Sequence, residues 1–132
     1  RIVLASGRPT YGLMPLAKSL ELGNYGGFIL SYNGCQIINA QNGEILFERR
    51  INPEMLPYLE KKARKNNFAL FTYHDDTIIT DTPENEHIQN EARLNNLKVI
   101  KEEEFSVAID FAPCKCMLVS DDEEALVSLE GH

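Results

Sequence analysis

The chain opens on a continuous apolar run, Ile2-Val3-Leu4-Ala5, that breaks at Ser6-Gly7-Arg8-Pro9. A short unbroken run with β-branched residues predicts a strand covered on both faces, over residues 1–5, as in a parallel sheet. The period then changes. Leu13, Leu16, Ala17 and Leu20 fall at i, i+3, i+4 and i+7, which predicts an amphipathic helix stopped by Gly23. Gly26-Gly27 leads into a second apolar run, Phe28-Ile29-Leu30-Ser31-Tyr32, halted by Asn33-Gly34. Strand, helix and strand within residues 1–34 match the size of a βαβ crossover, so the fold class is α/β.

After Gly34 the pattern turns to hairpins. Cys35–Asn39 and Glu44–Glu48 flank Gln41-Asn42-Gly43, and Asn-Gly between alternating runs is a strong hairpin signal. Asn52-Pro53-Glu54 starts a helix, with Met55, Leu56, Leu59 and Ala63 on one face and Asn66-Asn67 at its end. Strands are predicted over 68–73 and 77–80, with the second extending the first or pairing with it across His74-Asp75-Asp76. A polar helix over 84–95, strands near 105–111 and at 115–119, and a helix after Ser120-Asp121-Asp122-Glu123 complete the pattern. Residues 35–129 therefore read as an α+β unit distinct from residues 1–34. Glu130-Gly131-His132 reads as a tag remnant.

Composition narrows the field. A chain of 132 residues with 43% hydrophobic positions can build a core, which excludes a disordered chain. No apolar run approaches the roughly 20 residues that cross a bilayer, so no membrane partner is expected. Thirteen basic against twenty acidic residues give a net charge of −7. That argues against a nucleic-acid partner, though one local cationic site still permits a small anion. Cys35, Cys114 and Cys116 are too few for a disulfide framework, and Cys114-x-Cys116 lacks the second ligand pair a structural metal needs. Reduced thiols and the absence of a signal peptide make the cytoplasm the expected compartment. Arg1 followed at once by a strand pattern reads as a start inside a fold.

Candidate chemistry gathers where the two apolar strands end. Ligands of open α/β sheets sit beyond the carboxyl ends of the strands. There Ser6 can offer a hydroxyl and Gly7 a backbone N–H to a phosphate oxygen, glycine permitting close backbone approach. Arg8 adds a guanidinium suited to phosphate or carboxylate. The same tripeptide also serves as a plain strand-ending turn. Asn33, at the end of the next strand, faces the same crevice if the strands are neighbours about 5 Å apart. Asn33-Gly34 is equally an ordinary turn by itself. Elsewhere, Glu102-Glu103-Glu104 reads as a solvated face and Lys61–Lys65 as charge at a helix end. Lys115 reads as structural. His74 and His87 have no third ligand in step, so no metal site is expected in this chain.

Those two strand ends, in order and 27 residues apart, carry a resemblance. The segment VLASGRPTYGLMPLAKSLELGNYGGFILSYNGCQII resembles the Cof-type sugar-phosphatase group of the haloacid dehalogenase-like (HAD) superfamily. The resemblance implies part of a Rossmann-like core over 1–34 and part of an inserted α/β cap over 35–129. It implies that Ser6 matches the hydroxyl that bonds the transferring phosphoryl group, with serine in place of the commoner threonine. Gly7 and Arg8 match its loop neighbours, and Asn33 the asparagine closing the third core strand. Tyr73 and His74 then become cap residues placed to touch a substrate. The implied activity is hydrolysis of small phosphorylated metabolites through a phosphoaspartyl intermediate with Mg²⁺, and no protein partner is inferred. The group's Asp-x-Asp-Gly-Thr nucleophile motif, its third-motif lysine and its magnesium-binding acidic motif do not occur in these 132 residues. The chain alone is therefore expected to be inactive. A non-catalytic α/β binding module is the alternative. A nucleotide-binding domain ranks third, because neither Gly-x-Gly-x-x-Gly nor a P-loop is present.

Overall fold

β1 (Val3–Ala5) and β2 (Phe28–Ser31) pair in parallel, Val3 opposite Phe28 and Ala5 opposite Leu30, with α1 (Thr10–Ser19) carrying the chain between them. The computed structural model describes residues 1–130, so Gly131 and His132 of the expected tag remnant lie outside the described residues. α1 buries Leu13 and Ala17 against Ile29, Ile38 and Leu22. Leu16 and Leu20, expected on the same face, are left partly in solvent. The helix also ends earlier than Gly23: Leu20 and Glu21 return their N–H groups to Leu16 and Lys18, and Glu21 takes the left-handed turn at φ 52°. Gly23 falls inside the 3₁₀ turn that follows, Leu22–Tyr25.

The hairpin β3 (Gln36–Asn39) and β4 (Ile45–Glu48) forms as its Asn-Gly turn predicts. It belongs to the first sheet, whose strand order is β1-β2-β3-β4. The division expected after Gly34 is thus displaced, because the turn after β2 folds β3 straight back onto it, Ser31 opposite Gln36 and Phe28 opposite Asn39. The chain leaves this sheet at residues 49–52, where Arg49 N–H reaches Cys35 O and Ile51 N–H reaches Pro113 O, both at 2.8 Å. Among the described residues β1 pairs on one side only, with β2, and Ile2 and Val3 are each half exposed.

A second four-stranded sheet follows, with order β7-β6-β5-β8. β5 (Ala69–His74) and β6 (Thr77–Thr80) form an antiparallel hairpin across Asp75-Asp76, β8 (Cys116–Val119) pairs antiparallel with β5, and β7 (Lys98–Lys101) runs parallel to β6. Alternation along β5 builds both faces. Phe68 and Leu70 join Leu56 and Ala63 of α2 (Leu56–Asn66), while Phe71 and Tyr73 join Ile88 and Ala92 of α3 (Glu86–Asn95). The 3₁₀ turn Pro53–Met55 that leads into α2 starts on Asn52, whose Oδ1 accepts the Glu54 N–H, and α3 starts on Asn85, whose Oδ1 accepts from His87 and Ile88. Tyr32, from the first unit, sits in the cluster with Phe71 and Tyr73, so the seam between the units is part of a core. α5 (Glu123–Glu130) closes the chain, with Asp122 Oδ1 accepting the Ala125 N–H at 3.0 Å.

The segment expected as a strand near 105–111 instead holds a short helix, α4 (Phe105–Ala108), and the strand is β7, which begins at Lys98. The cause is a distant cap. The Glu60 carboxylate of α2 accepts the N–H groups of Phe105 and Ser106 at 3.1 and 3.3 Å, satisfying donors that a helix start leaves orphaned. Phe105 is then buried between α2 and the sheet. Glu60→Ala is expected to cost about 1–2 kcal/mol of stability, the usual worth of such a cap. Chemical denaturation checks this, and a loss below experimental error would remove Glu60 as the reason for the helix.

Candidate functional site

Ser6 is the first residue beyond β1, and its N–H still bonds Leu30 O of the neighbouring strand at 2.9 Å. Its Oγ accepts the Arg8 N–H at 3.1 Å. The hydroxyl proton meets no acceptor among the described residues, and neither does the Gly7 N–H. Two donors, one a side chain and one backbone, therefore remain unspent at the carboxyl end of a parallel strand. This is the chemistry of an anion cradle.

Asn33 stands beside them, as parallel pairing of β1 and β2 requires. Its N–H donates to Ser6 O at 3.1 Å, and Tyr32 N–H donates to Arg8 O at 3.0 Å. A Cβ at Gly7 would lie 2.6 Å from Asn33 Oδ1, so a larger residue there would push the Asn33 side chain aside. The turn that brings Asn33 there is strained. Tyr32, Asn33 and Gly34 take left-handed φ values of 50°, 59° and 85° in succession, and each non-glycine residue so held costs on the order of 1 kcal/mol or more. The buried Tyr32 ring, 5.7 Å from that of Tyr73, helps hold this conformation.

Arg8 is placed differently from its sequence reading. Its Nε donates to Asn95 Oδ1 at 2.7 Å and its Nη2 to Leu94 O at 2.9 Å, so the guanidinium caps the negative end of α3 instead of pointing an open fork at a ligand. Asn95 is buried and fully engaged, its Nδ2 donating to Glu91 O and Glu91 Oε1 at 3.0 and 3.2 Å. Tyr73 donates its hydroxyl to the same Glu91 Oε1 at 2.7 Å. Burial, and then the bond to Glu91, push the Tyr73 phenol well above its ordinary pKa. From Arg8 through Asn95, Glu91 and Tyr73 to Tyr32, the contacts return to Arg8 O.

Lys115 enters from the second unit. It donates from Nζ to Gly7 O at 3.0 Å, across 108 residues of sequence. The sequence pattern reads it as structural and does not single out Asn95. No local signal marks either, because both act through residues about a hundred positions away.

Tyr73 and His74 fall apart from Ser6. They line a cavity of about 590 Å³ with Tyr32, Gln36, Arg50 and Phe111, and none of Ser6, Gly7, Arg8 or Asn33 is in its wall. Tyr73 is 4% exposed and is a core residue. His74 stacks on Phe111, ring centres 4.4 Å apart. Arg50 is tied to Glu48 and to Ala112 O, and the hydrogen bond from Arg50 holds the Glu48 carboxyl below its usual range. Cys114 is in the same wall, its thiol pushed up to about 12 by burial and by the neighbouring Cys35 thiol. All three cysteines are free. Among the described residues no three His, Cys, Asp or Glu side chains gather where they could hold a metal ion. No helix of the described residues is long and apolar enough to cross a membrane.

The family model of haloacid dehalogenase-like hydrolases matches residues 1–132. A haloacid dehalogenase-like hydrolase from Bacteroides thetaiotaomicron is 40% identical, superposes with a TM-score of 0.88, and is matched over 98% of this chain and 48% of its own. The HAD subclass IIB sugar phosphatase BT4131 is 17% identical with a TM-score of 0.68, over 98% of this chain and 49% of its own, and shares the fold. A curated Streptococcus pyogenes relative named "Putative phosphatase M6_Spy0533" is 24% identical over 95 residues, 59% of this chain and 35% of that protein. The chain belongs to the haloacid dehalogenase-like hydrolases. It spans about half the length of the solved relatives and about a third of the curated one.

Proposed function

We propose that this chain is the part of a Cof-type phosphatase that holds the phosphoryl group and carries part of the cap. Its substrates would be small phosphorylated metabolites such as sugar phosphates. The observation that supports this most is the pair of unspent donors, Ser6 Oγ–H and Gly7 N–H, at the carboxyl end of β1. Two such donors suit two oxygens of a phosphoryl group, and they gain strength where water is excluded. In this reading the second sheet and its helices form the cap. The cavity walled by Tyr73, His74 and Phe111 lies at the junction of the two units. Asn33 braces the loop and Arg8 anchors it to the cap. The attacking carboxylate, the acid/base and the Mg²⁺ ligands belong to the portion of the relatives' length that this chain does not span. The enzyme is assigned to the cytoplasm, where free thiols persist.

The test is a phosphate-ester screen. The full-length protein with Mg²⁺ is expected to hydrolyse p-nitrophenyl phosphate and at least one sugar phosphate, and the 132-residue chain alone to release no phosphate. Turnover by the short chain would overturn the division of labour. A full-length protein inert to every ester would return the reading to a binding module.

A further inference from the structure

The Gly7–Arg8 peptide is held at both ends by different units. Its N–H, from Arg8, is accepted by Ser6 Oγ at 3.1 Å, and its C=O, from Gly7, accepts Lys115 Nζ at 3.0 Å. A peptide unit is planar and its two polar groups are rigidly opposed, so fixing the carbonyl fixes the direction of the N–H. The direction of that N–H in turn decides which lone pair of Ser6 Oγ is occupied, and hence where the remaining hydroxyl proton can point. A cation on the carbonyl also polarises the unit and strengthens the bond its N–H makes. Lys115 sits just ahead of β8, in the second unit, while Ser6 and Gly7 follow β1 in the first. Arg8, gripping Asn95 and Leu94, holds the following residue to the same unit.

We propose that Lys115 is a positioning residue for Ser6, acting through the Gly7–Arg8 peptide, so that the phosphoryl cradle is set only when the second unit is docked on the first. This rests on the reading of Ser6 as the phosphoryl-holding hydroxyl. Lys115 does not touch the substrate in this role. It supplies the orientation of a donor that does. The consequence is a coupling between cap position and the readiness of the site, carried by one peptide bond.

A double-mutant cycle in the full-length protein tests this. Lys115→Met is expected to lower kcat about tenfold with KM changed less than twofold, the loss matching one charge-assisted hydrogen bond. Lys115→Arg, which still offers a cationic N–H, is expected to recover most of that loss. Because Lys115 acts through Ser6, Ser6→Ala combined with Lys115→Met should be no slower than Ser6→Ala alone. Effects that multiply would overturn the proposal. Hydrogen exchange of the Arg8 amide supplies a readout without turnover, and Lys115→Met is expected to speed it about tenfold. Unchanged exchange would overturn the positioning role even with activity lost. A wild-type protein without phosphatase activity would defeat the phosphoryl reading, while the exchange measurement would still decide what Lys115 does.

Discussion

Replacing Ser6 by alanine in the full-length protein is expected to lower kcat on a phosphate ester by about a hundredfold, with the far-ultraviolet circular dichroism unchanged. The magnitude follows from the role. A preorganised donor aimed at charge that grows in the transition state is typically worth about 10²–10³ in rate when removed. Ser6 is preorganised in this sense: its backbone is locked to Leu30 and Asn33, and its Oγ is locked by the Arg8 N–H. The fold should survive, because the side chain is only partly buried and contributes nothing to the apolar clusters. Arg8 N–H loses its acceptor, but the loop there is partly open to water, which can replace it. Ser6→Thr is the informative control. It keeps the hydroxyl and restores the residue commoner in the Cof-type group, so it should stay within a few-fold of wild type. Steady-state kinetics on both variants decides the matter, and an unchanged kcat for the alanine variant would remove Ser6 from the cradle.

How far this site was legible in the sequence depends on the range of each interaction. Ser6-Gly7 and Asn33 could be found because each ends an apolar run, and strand ends in a βαβ unit are neighbours by construction of the fold. The hairpin around Asn42-Gly43 and the asparagine cap at Asn52 were legible for the same reason: the residue and the group it satisfies are two positions apart. The failures are long-range. Lys98–Lys101 is a partly exposed outer strand with lysines at both ends, so its pattern does not announce a strand, and only pairing with β6 makes it one. Residues 105–108 carry β-forming Phe, Val and Ile nearby, yet a carboxylate 45 residues away turns them into a helix. Arg8 looked like a ligand contact because a free guanidinium suits an anion. Its actual partners, Leu94 and Asn95, lie 86 and 87 residues on, beyond any local pattern. For Tyr73, placed with His74 in the cap by the resemblance, the period-2 alternation of β5 puts the ring on the same buried face as Phe71.

Gly12→Ala, usually a stabilising change inside a helix, is expected to cost about 2–4 kcal/mol here and to lower Tm by roughly 10 °C. Alanine should gain about 1 kcal/mol of helix propensity over glycine. Against this, α1 meets the end of α3 at this position. A Cβ on residue 12 would lie 2.2 Å from Asn95 Oδ1, 2.8 Å from its Cγ and 2.9 Å from its Cβ. A rotamer change could clear the first two atoms, but the third moves only with the α3 backbone. The amide is also not free to turn, since it is buried and spends its oxygen on Arg8 and its nitrogen on Glu91. Relief therefore requires the two helices to part, and that breaks the Arg8–Asn95 bond and opens the seam around Tyr32 and Tyr73. Removing the Asn95 side chain should relieve much of the clash. Gly12→Ala combined with Asn95→Ala is accordingly expected to cost at least about 1 kcal/mol less than the sum of the single changes. Thermal unfolding of the four proteins measures that coupling. A Gly12→Ala variant as stable as wild type would mean that α1 and α3 do not meet in solution, and with that contact would go the clasp that binds the Ser6 loop to the second unit.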